Sequence, residues 1–537
     1  MTACETLVEV SGSGTPRIFW LFPLAGLLLS LAFPTELLPG RFGDHPPSLL
    51  GWLAVLPLLW AMQALPPRQA RWAAYLFGFG WYLGVITWVR LFGLLPWALL
   101  TAFLALTPLL AVLVSAWMPG GKRWTPLTFA LAFTGLEWLR GQGMFGFPWA
   151  ELGSTQVDGL FARIAAVGGI PLITFLMLWV TGSLLQRIRD PKSLPWMLPV
   201  SLAGLLLALL GGWWQSHAAY TRWQQNSSGQ YVSVVQPNVL RDLSPEVLHT
   251  GVTVEERNRR FQVLLGLSYD ACFAQAKLQA AHGQAKTAPP AIPHLIVWPE
   301  SALADPLDDP TQPASSTLPA FCGITRSYVL AGGPFGFANA AQLVEPPGVL
   351  GERYEKTHLV PFGEFVPFRP LIERYYTVRA YDIQPGRSRQ PLRATGHAFG
   401  VGICFESTFA DLARESARQG AQLLVYITND AWFHQTAAVR QHYNEARFRA
   451  LETGLPVARA AATGISGFIA PDGRSLDEIP TYQPGTRTRF FHDGTPGTLT
   501  TSGGWLFGPC CLCLALALAL VGKLFMHRCS SNITTSP

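Results

Sequence analysis

Charge is what this sequence has least of. Only 13% of its 537 residues are Asp, Glu, Lys or Arg, against 49% hydrophobic, a balance too apolar for an ordinary soluble protein. Much of the chain is therefore expected in lipid. The net charge of +6 is spread between loops with no aromatic-interleaved basic patch, which argues against nucleic acid as a partner. Zinc-type spacing of Cys and His is missing as well, and neither a metal nor any other cofactor is expected. No small-residue cleavage site follows the first apolar run, which is flanked by Glu5, Glu9 and Arg17, so it reads as an anchor rather than a removed signal peptide. Cysteine is sparse: of eight, Cys510, Cys511, Cys513 and Cys529 lie in or after the last apolar run and Cys4 precedes the first. Cys272, Cys322 and Cys404 remain, an odd number that leaves one thiol unpaired in an oxidising compartment even if Cys272 and Cys322 bridge, which the sequence does not decide.

What is present is a series of long apolar runs: Ile18–Phe33, Leu49–Met62, Trp72–Phe92, Trp97–Trp117, Thr125–Leu139, Leu160–Leu185, Pro195–Trp214 and Trp505–Met526. They predict a multi-span α-helical bundle of about eight spans, the second and fifth being short. Between about Gln224 and Thr498 charge returns and short β-branched runs alternate with polar helical patterns. The expected division is 1–223 for a membrane bundle of about seven spans, 224–498 for a water-exposed domain, and 499–537 for a last span and short cytoplasmic tail. Basic residues cluster after even-numbered spans: Arg68 and Arg71, Lys122 and Arg123, Arg187, Arg189 and Lys192, then Lys523 and Arg528. Positive loops face the cytoplasm, so the large domain, which follows the seventh span, is expected outside, in the periplasm of a diderm bacterium.

Within that domain Tyr231–Gln236, Leu295–Trp298, Tyr328–Gly332, Ala398–Ile403 and Leu423–Thr428 are strand candidates. Helical patterns at Val254–Ala280, Phe409–Gln419 and Val439–Thr453 alternate with them, the arrangement of an α/β layered sandwich. Ala281–Pro293 and Ala304–Pro319 read as loops, the second because its Pro and Asp content rules out a regular element.

Cys404 closes the apolar run Ala398–Ile403, which places a thiol at the carboxyl end of a buried strand, where α/β folds expose reactive groups. Glu300 similarly ends Leu295-Ile296-Val297-Trp298-Pro299-Glu300, and Lys356 lies in Tyr354-Glu355-Lys356-Thr357-His358-Leu359-Val360-Pro361. A thiol attacks an ester carbonyl as thiolate, a carboxylate can take its proton, and an ammonium can stabilise the tetrahedral oxyanion. Cys404 is thus the candidate nucleophile, Glu300 the general base and Lys356 the oxyanion stabiliser. Singly each has a bland alternative: a cysteine after a strand is usually a small core residue, Trp-Pro-Glu a turn, and a loop lysine solvated.

The segments Trp298–Glu300, Tyr354–Pro367 and Gly402-Ile403-Cys404-Phe405-Glu406 resemble the Glu, Lys and Cys motifs of the nitrilase superfamily, in the form of its apolipoprotein N-acyltransferase branch. Thr428-Asn429-Asp430-Ala431-Trp432-Phe433, Ala446–Gly454 and Gly141–Gly153, with its Phe147-Pro148-Trp149, are similar to that branch too. The resemblance implies an αββα sandwich and a ping-pong reaction. An acyl chain would pass from a membrane phospholipid, typically phosphatidylethanolamine, to Cys404 as a thioester. It would then pass to the α-amino group of the S-diacylglyceryl cysteine of a diacylated apolipoprotein, the last step of lipoprotein maturation. The family pattern also implies that Glu364 and Glu406 matter, each able to orient Lys356 or assist proton transfer. Trp432, Phe433 and Phe147 are candidates to line an acyl pocket, though aromatics in such apolar surroundings more often serve packing.

The sequence departs from the pattern in places. The tryptophan usual soon after Val235-Gln236-Pro237-Asn238 is missing from Val239–Thr250, and Ala462 stands where Asn commonly precedes Thr-Gly. His434 replaces a usual glycine, and Ala340 follows Asn339 where serine is frequent. These bear on lipid or acceptor preference rather than on the reaction class. Two other readings remain: a membrane-tethered amidase passing the acyl group to water, and a catalytically silent assembly or transport protein. A hydrolase of small amides has no evident need of eight spans, and charge is scarce in the middle of the apolar runs, which disfavours transport.

Overall fold

The computed structural model describes residues 19–38, 41–239, 253–281, 293–372, 374, 382–394 and 396–533. Everything before Phe19, including Cys4 and Ile18, the stretch 240–252, and the predicted loop at 281–293 apart from its ends lie outside the described residues.

The apolar runs are helical. Those used below are α1 (Leu21–Ser30), α2 (Leu49–Ala54), α3 (Leu56–Ala64), α4 (Pro67–Val85), α5 (Leu94–Leu104), α6 (Leu106–Trp117), α7 (Thr125–Arg140), α8 (Ala165–Arg189) and α9 (Met197–Gln225). Among the described residues four stretches are long and apolar enough to cross a membrane: Leu94–Trp117, Leu160–Arg189, Met197–Gln225 and Gly504–Phe525. The other predicted spans form shorter or less apolar helices. The 10 residues of α1 rise only about 15 Å, half a hydrocarbon core, and α4 begins with Arg68 and Arg71. All pack together, α1 against α4, and α7 against both α8 and the last helix.

Among the described residues the chain then forms two six-stranded sheets. Sheet one has the order β12-β1-β2-β3-β4-β5, with β1 Gly229–Gln236, β2 His294–Val297, β3 Tyr328–Phe335, β4 Ala338–Glu345, β5 Val349–Glu355 and β12 Gly485–His492. Sheet two has the order β11-β10-β9-β8-β7-β6, with β6 Leu392–Ala394, β7 His397–Ile403, β8 Leu423–Thr428, β9 Val457–Ala461, β10 Ser466–Ile469 and β11 Ser475–Ile479. In each sheet three central strands run parallel and the outer ones antiparallel. Parallel strands covered on both faces need side chains apolar throughout, and β7 and β8 are buried along their whole length. Val232, Val234, Val297 and Leu330 of sheet one meet Val401, Val425, Ile427 and Phe468 of sheet two between the layers.

Helices cover the outer faces. On sheet one Val235, Ile296 and Trp298 pack under α10 (Val254–Ala281) and α11 (Pro313–Thr325). On sheet two Leu424 and Tyr426 pack under α12 (Ala410–Arg418) and α13 (Ala438–Thr453). The same apolar cluster continues from α12 and α13 into the helices of the N-terminal half, so this helix layer lies between sheet two and the bundle. Arg447 on α13 pairs with Asp158, and Gln441 bridges the indole of Trp149 to the carbonyl of Pro34. Beyond α13 the chain ends in α14 (Phe507–Ile533).

One sequence expectation is corrected. The stretch 304–319 is not loop throughout, because α11 starts at Pro313. A proline at the first helical position lacks only a donor that has no partner there anyway, and Leu318, Phe321 and Cys322 supply the apolar face that docks the helix. Cys322, buried there, and Cys272 are both free thiols.

Candidate active site

Glu300 leaves β2 after Trp298, which is fully buried and donates its indole N–H to Ser268 at 2.9 Å. Gly332 on β3 makes the turn possible, since a Cβ there would lie 2.4 Å from the carbonyl oxygen of Pro299. Lys356 follows β5 and is tied back by its amide to the carbonyl of Asn339 on β4 at 2.8 Å. Cys404 follows β7 with φ of +54° and opens the short 3-10 turn Cys404–Thr408. A left-handed conformation costs a non-glycine residue about 1 kcal/mol or more, so it persists only where neighbours enforce it.

The structure brings Glu300, Lys356 and Glu364 into one cluster, the first two buried and Glu364 half-buried. The ammonium of Lys356 donates to Glu364 Oε1 at 2.9 Å and lies 3.7 Å from Glu300 Oε1. Asn339 Nδ2 donates to both carboxylates, at 2.8 Å to Glu300 and 3.1 Å to Glu364. Their second oxygens accept backbone donors: Asn429 N–H at 2.8 Å for Glu300 and Val360 N–H at 2.9 Å for Glu364. Asn429 follows β8, so the bond to Glu300 joins the carboxyl ends of the two sheets.

Glu406 has a different place. It accepts from Tyr354 Oη, the amide and hydroxyl of Thr357, and the amides of His358 and Ile403, all between 2.8 and 3.0 Å. It therefore fastens the segment carrying Lys356 to the turn carrying Cys404, without itself bonding to the ammonium. The two carboxylates that the sequence left alike are thus separated by geometry.

Burial works to lower the pKa of Lys356, but Glu364 first, then Glu300 and Cys404, outweigh it and hold the amine charged. Burial, followed by the charge of Glu300, pushes the Cys404 thiol up further than Lys356 pulls it down. At rest the sulfur keeps its proton, and attack requires a base at the moment of reaction. Burial also raises the Glu406 carboxyl, against the pull of the Ile403 amide and of Lys356. Among the described residues no three His, Cys, Asp or Glu side chains are grouped as metal ligands would be.

Of the predicted pocket aromatics, Phe433 is core, edge-on to Trp88 at 5.0 Å and to Trp149 at 5.8 Å. Phe147 stands 6.2 Å from Phe405, the neighbour of Cys404, and Trp432 is half-buried. Asn339, Tyr354 and Thr357 had no assigned role in the sequence. The signal for Asn339 would have been strand β4, whose Ala-rich sequence Ala338–Glu345 has no β-branched run to reveal it.

The profile of the apolipoprotein N-acyltransferase N-terminal domain matches residues 25–183, and that of the carbon-nitrogen hydrolases matches residues 233–489. The two-sheet unit is accordingly nitrilase-like. The apolipoprotein N-acyltransferase of Geobacter metallireducens is 31% identical over 499 residues, covering 87% of this chain and 88% of that protein. That of Ralstonia nicotianae is 30% identical and covers 90% of each. That of Pseudomonas putida is 31% identical, covering 85% of this chain and 89% of the relative.

Proposed function

Because this chain belongs to the apolipoprotein N-acyltransferase family, we propose that it N-acylates lipoproteins by a ping-pong reaction through a thioester on Cys404. The observation that carries the reading is the buried pair of Glu300 and Lys356, 3.7 Å apart, beside a thiol whose proton is held. Glu300 takes the Sγ proton as the sulfur attacks the ester carbonyl of a membrane phospholipid. Lys356 stabilises the oxyanion. The C–O bond breaks, the proton passes to the leaving oxygen, and a lysophospholipid departs. The α-amino group of an S-diacylglyceryl cysteine then attacks the thioester and gives a proton to Glu300; the C–S bond breaks as the amide forms, and Glu300 returns the proton to the departing Cys404 sulfur.

The chain is proposed to cross the bacterial inner membrane about eight times, with 224–498 as a periplasmic catalytic domain between the bundle 1–223 and the last span within 499–537. Two acyl-bearing substrates confined to the bilayer explain the anchoring. A cysteine introduced between Ala304 and Pro310 is expected to react with an impermeant reagent on intact cells, and one at Lys192 is not.

Intact-mass analysis tests the chemistry. Incubation with phospholipid alone should add one acyl chain, labile to neutral hydroxylamine, to the wild type and to Cys272→Ala and Cys322→Ala, and none to Cys404→Ala. A diacylated lipopeptide with a free amino terminus should discharge the adduct into an amide. Lipopeptide acylation by Cys404→Ala would overturn the thioester, and discharge to free fatty acid alone would make the protein an amidase.

A further inference from the structure

Beside Cys404 lies a second set of buried polar groups that the reaction above does not use. His442 on α13 points its Nε2 at the carbonyl oxygen of Cys404, 3.0 Å away, and at Ser407 Oγ, 2.9 Å away. Its Nδ1 lies 2.9 Å from Asp430 Oδ1 and 3.0 Å from Arg459 Nη2. Arg459 in turn pairs with Asp430 Oδ2 at 3.1 Å, and Thr428 Oγ1 donates to Asp430 Oδ1 at 2.8 Å. His442, Asp430 and Arg459 are all buried.

A carbonyl oxygen only accepts, so the contact with Cys404 requires a proton on His442 Nε2. If Nε2 instead accepted from Ser407, its lone pair would face the carbonyl lone pairs and the Cys404 oxygen would lose both donors. With Nε2–H donating, Ser407 Oγ–H is free to donate to the same carbonyl at 3.0 Å. Nδ1 has a partner either way, accepting from Arg459 or donating to Asp430. Two aromatic rings also pack on it: Trp149, from the N-terminal half, stacks at 5.6 Å, and Phe433 makes a T-shaped contact at 5.8 Å. Gly464 leaves the room Asp430 needs, because a Cβ there would sit 2.1 Å from Asp430 Oδ2.

We propose that His442 is a positioning residue that, with Ser407, anchors the carbonyl of Cys404 and so holds the nucleophile in its left-handed conformation. Glu406 grips the turn on the other side through the Ile403 amide. The peptide unit after the sulfur-bearing residue and the one joining Gly402 to Ile403 are then both fixed. The inference rests on the reading of Cys404 as nucleophile.

The test compares His442→Gln, whose amide nitrogen reaches the Nε2 position, with His442→Asn, which reaches only Nδ1, and with Ser407→Ala. Rates of acyl-enzyme formation are followed by intact mass across phospholipid concentrations, alongside thermal unfolding. His442→Asn should slow acylation at saturating phospholipid on the order of 10- to 100-fold, the scale of a lost buried hydrogen bond, with the half-saturating concentration unchanged. His442→Gln should recover to within about threefold of wild type. If neither His variant folds, Ser407→Ala should show a slower rate with an unchanged melting temperature. Wild-type rates in His442→Asn, or equal loss in Gln and Asn, or, in the fallback, an unchanged rate in Ser407→Ala, overturns the proposal. Acyl-enzyme on Cys404→Ala would instead overturn the nucleophile assignment, so the two failures are told apart.

Discussion

Two buried charge clusters flank Cys404 and are built on opposite plans. In front, two carboxylates, Glu300 and Glu364, share one ammonium, that of Lys356. Behind, one carboxylate, Asp430, meets one guanidinium, that of Arg459, across the ring of His442. Burial alone would raise the Asp430 pKa, but Arg459 and His442 hold it well below the usual carboxylate range. The rear cluster is matched in charge and its partners are all side chains of the fold. The front cluster is unmatched, and its fields on the thiol are the larger ones: Glu300 raises the thiol pKa most and Lys356 lowers it, while Asp430 of the rear cluster raises it less. Balanced charge suits a support that must not change during turnover. Unbalanced charge suits a site where a proton and a developing oxyanion complete the balance.

The widest separation should come from Glu300→Gln against Asp430→Asn. Glu300→Gln keeps the shape but removes the base, so thioester formation should slow on the order of 10²–10⁴-fold, with a stability loss of about 1–3 kcal/mol because its NH₂ must face the donor of Asn339 or of Asn429. Lys356→Met should fail equally, even at raised pH, and should also destabilise by about 3–5 kcal/mol, because it leaves two largely buried carboxylates without their counter-charge. Asp430→Asn should cost a similar amount of stability by stranding Arg459. Chemical denaturation and acyl-enzyme rates measured on the same preparations decide it. Normal acylation by Glu300→Gln or Lys356→Met would remove that residue from the mechanism and with it the contrast between front and rear.

A smaller but sharper difference separates the two supporting carboxylates. Glu364 touches the ammonium, whereas Glu406 only receives donors from the two segments it joins. In Glu406→Gln an amide NH₂ would confront N–H and O–H donors, costing about 2–3 kcal/mol, as a buried unsatisfied group does. In Glu364→Gln the amide oxygen can still accept from Lys356, so the expected loss is about tenfold in rate with a smaller loss of stability. A melting temperature lower in Glu364→Gln than in Glu406→Gln would reverse these roles.

How much of this was legible follows from where each residue lies. Glu300, Lys356 and Cys404 end apolar or motif-bearing runs, and such runs are the pattern that buried parallel strands impose, so β2, β7 and β8 were visible as well. Strands β4, β5, β11 and β12 were not, because they are antiparallel outer strands rich in Ala, Gly or charge, as in Val349–Glu355 and Gly485–His492. With β4 went Asn339. His442 lies in a helix that the sequence did place, but its target is a backbone carbonyl 38 residues away, and no side-chain pattern marks a carbonyl. The helical runs were legible too. The run Leu49–Met62 divides at Val55 into α2 and α3, although Val55 keeps right-handed helical angles.

The smallest expected effect concerns a second buried histidine, whose environment is the opposite of that of His442. His294 on β2 has no charged partner among the described residues: its Nε2 lies 2.7 Å from Ser233 Oγ and its Nδ1 3.2 Å from Ser327 Oγ. Burial with hydroxyls alone lowers its pKa from 6.5 to about 4. Between those values the unfolded chain binds a proton that the folded one does not, so stability is full above pH 6.5 and declines as pH falls toward 4. From pH 6.5 to 5 the decline amounts to about 2 kcal/mol. His294→Gln, which keeps a donor and an acceptor for the two serines but cannot titrate, should flatten that part of the profile. Other groups titrate over the same interval, so the informative quantity is the difference between wild type and variant in melting temperature at pH 6.5 and at pH 5. A difference that stays constant would mean that His294 is protonated inside the fold. A charge would then sit in the sandwich without a counter-charge, and the distinction between neutral and ionic support would fail at its simplest instance.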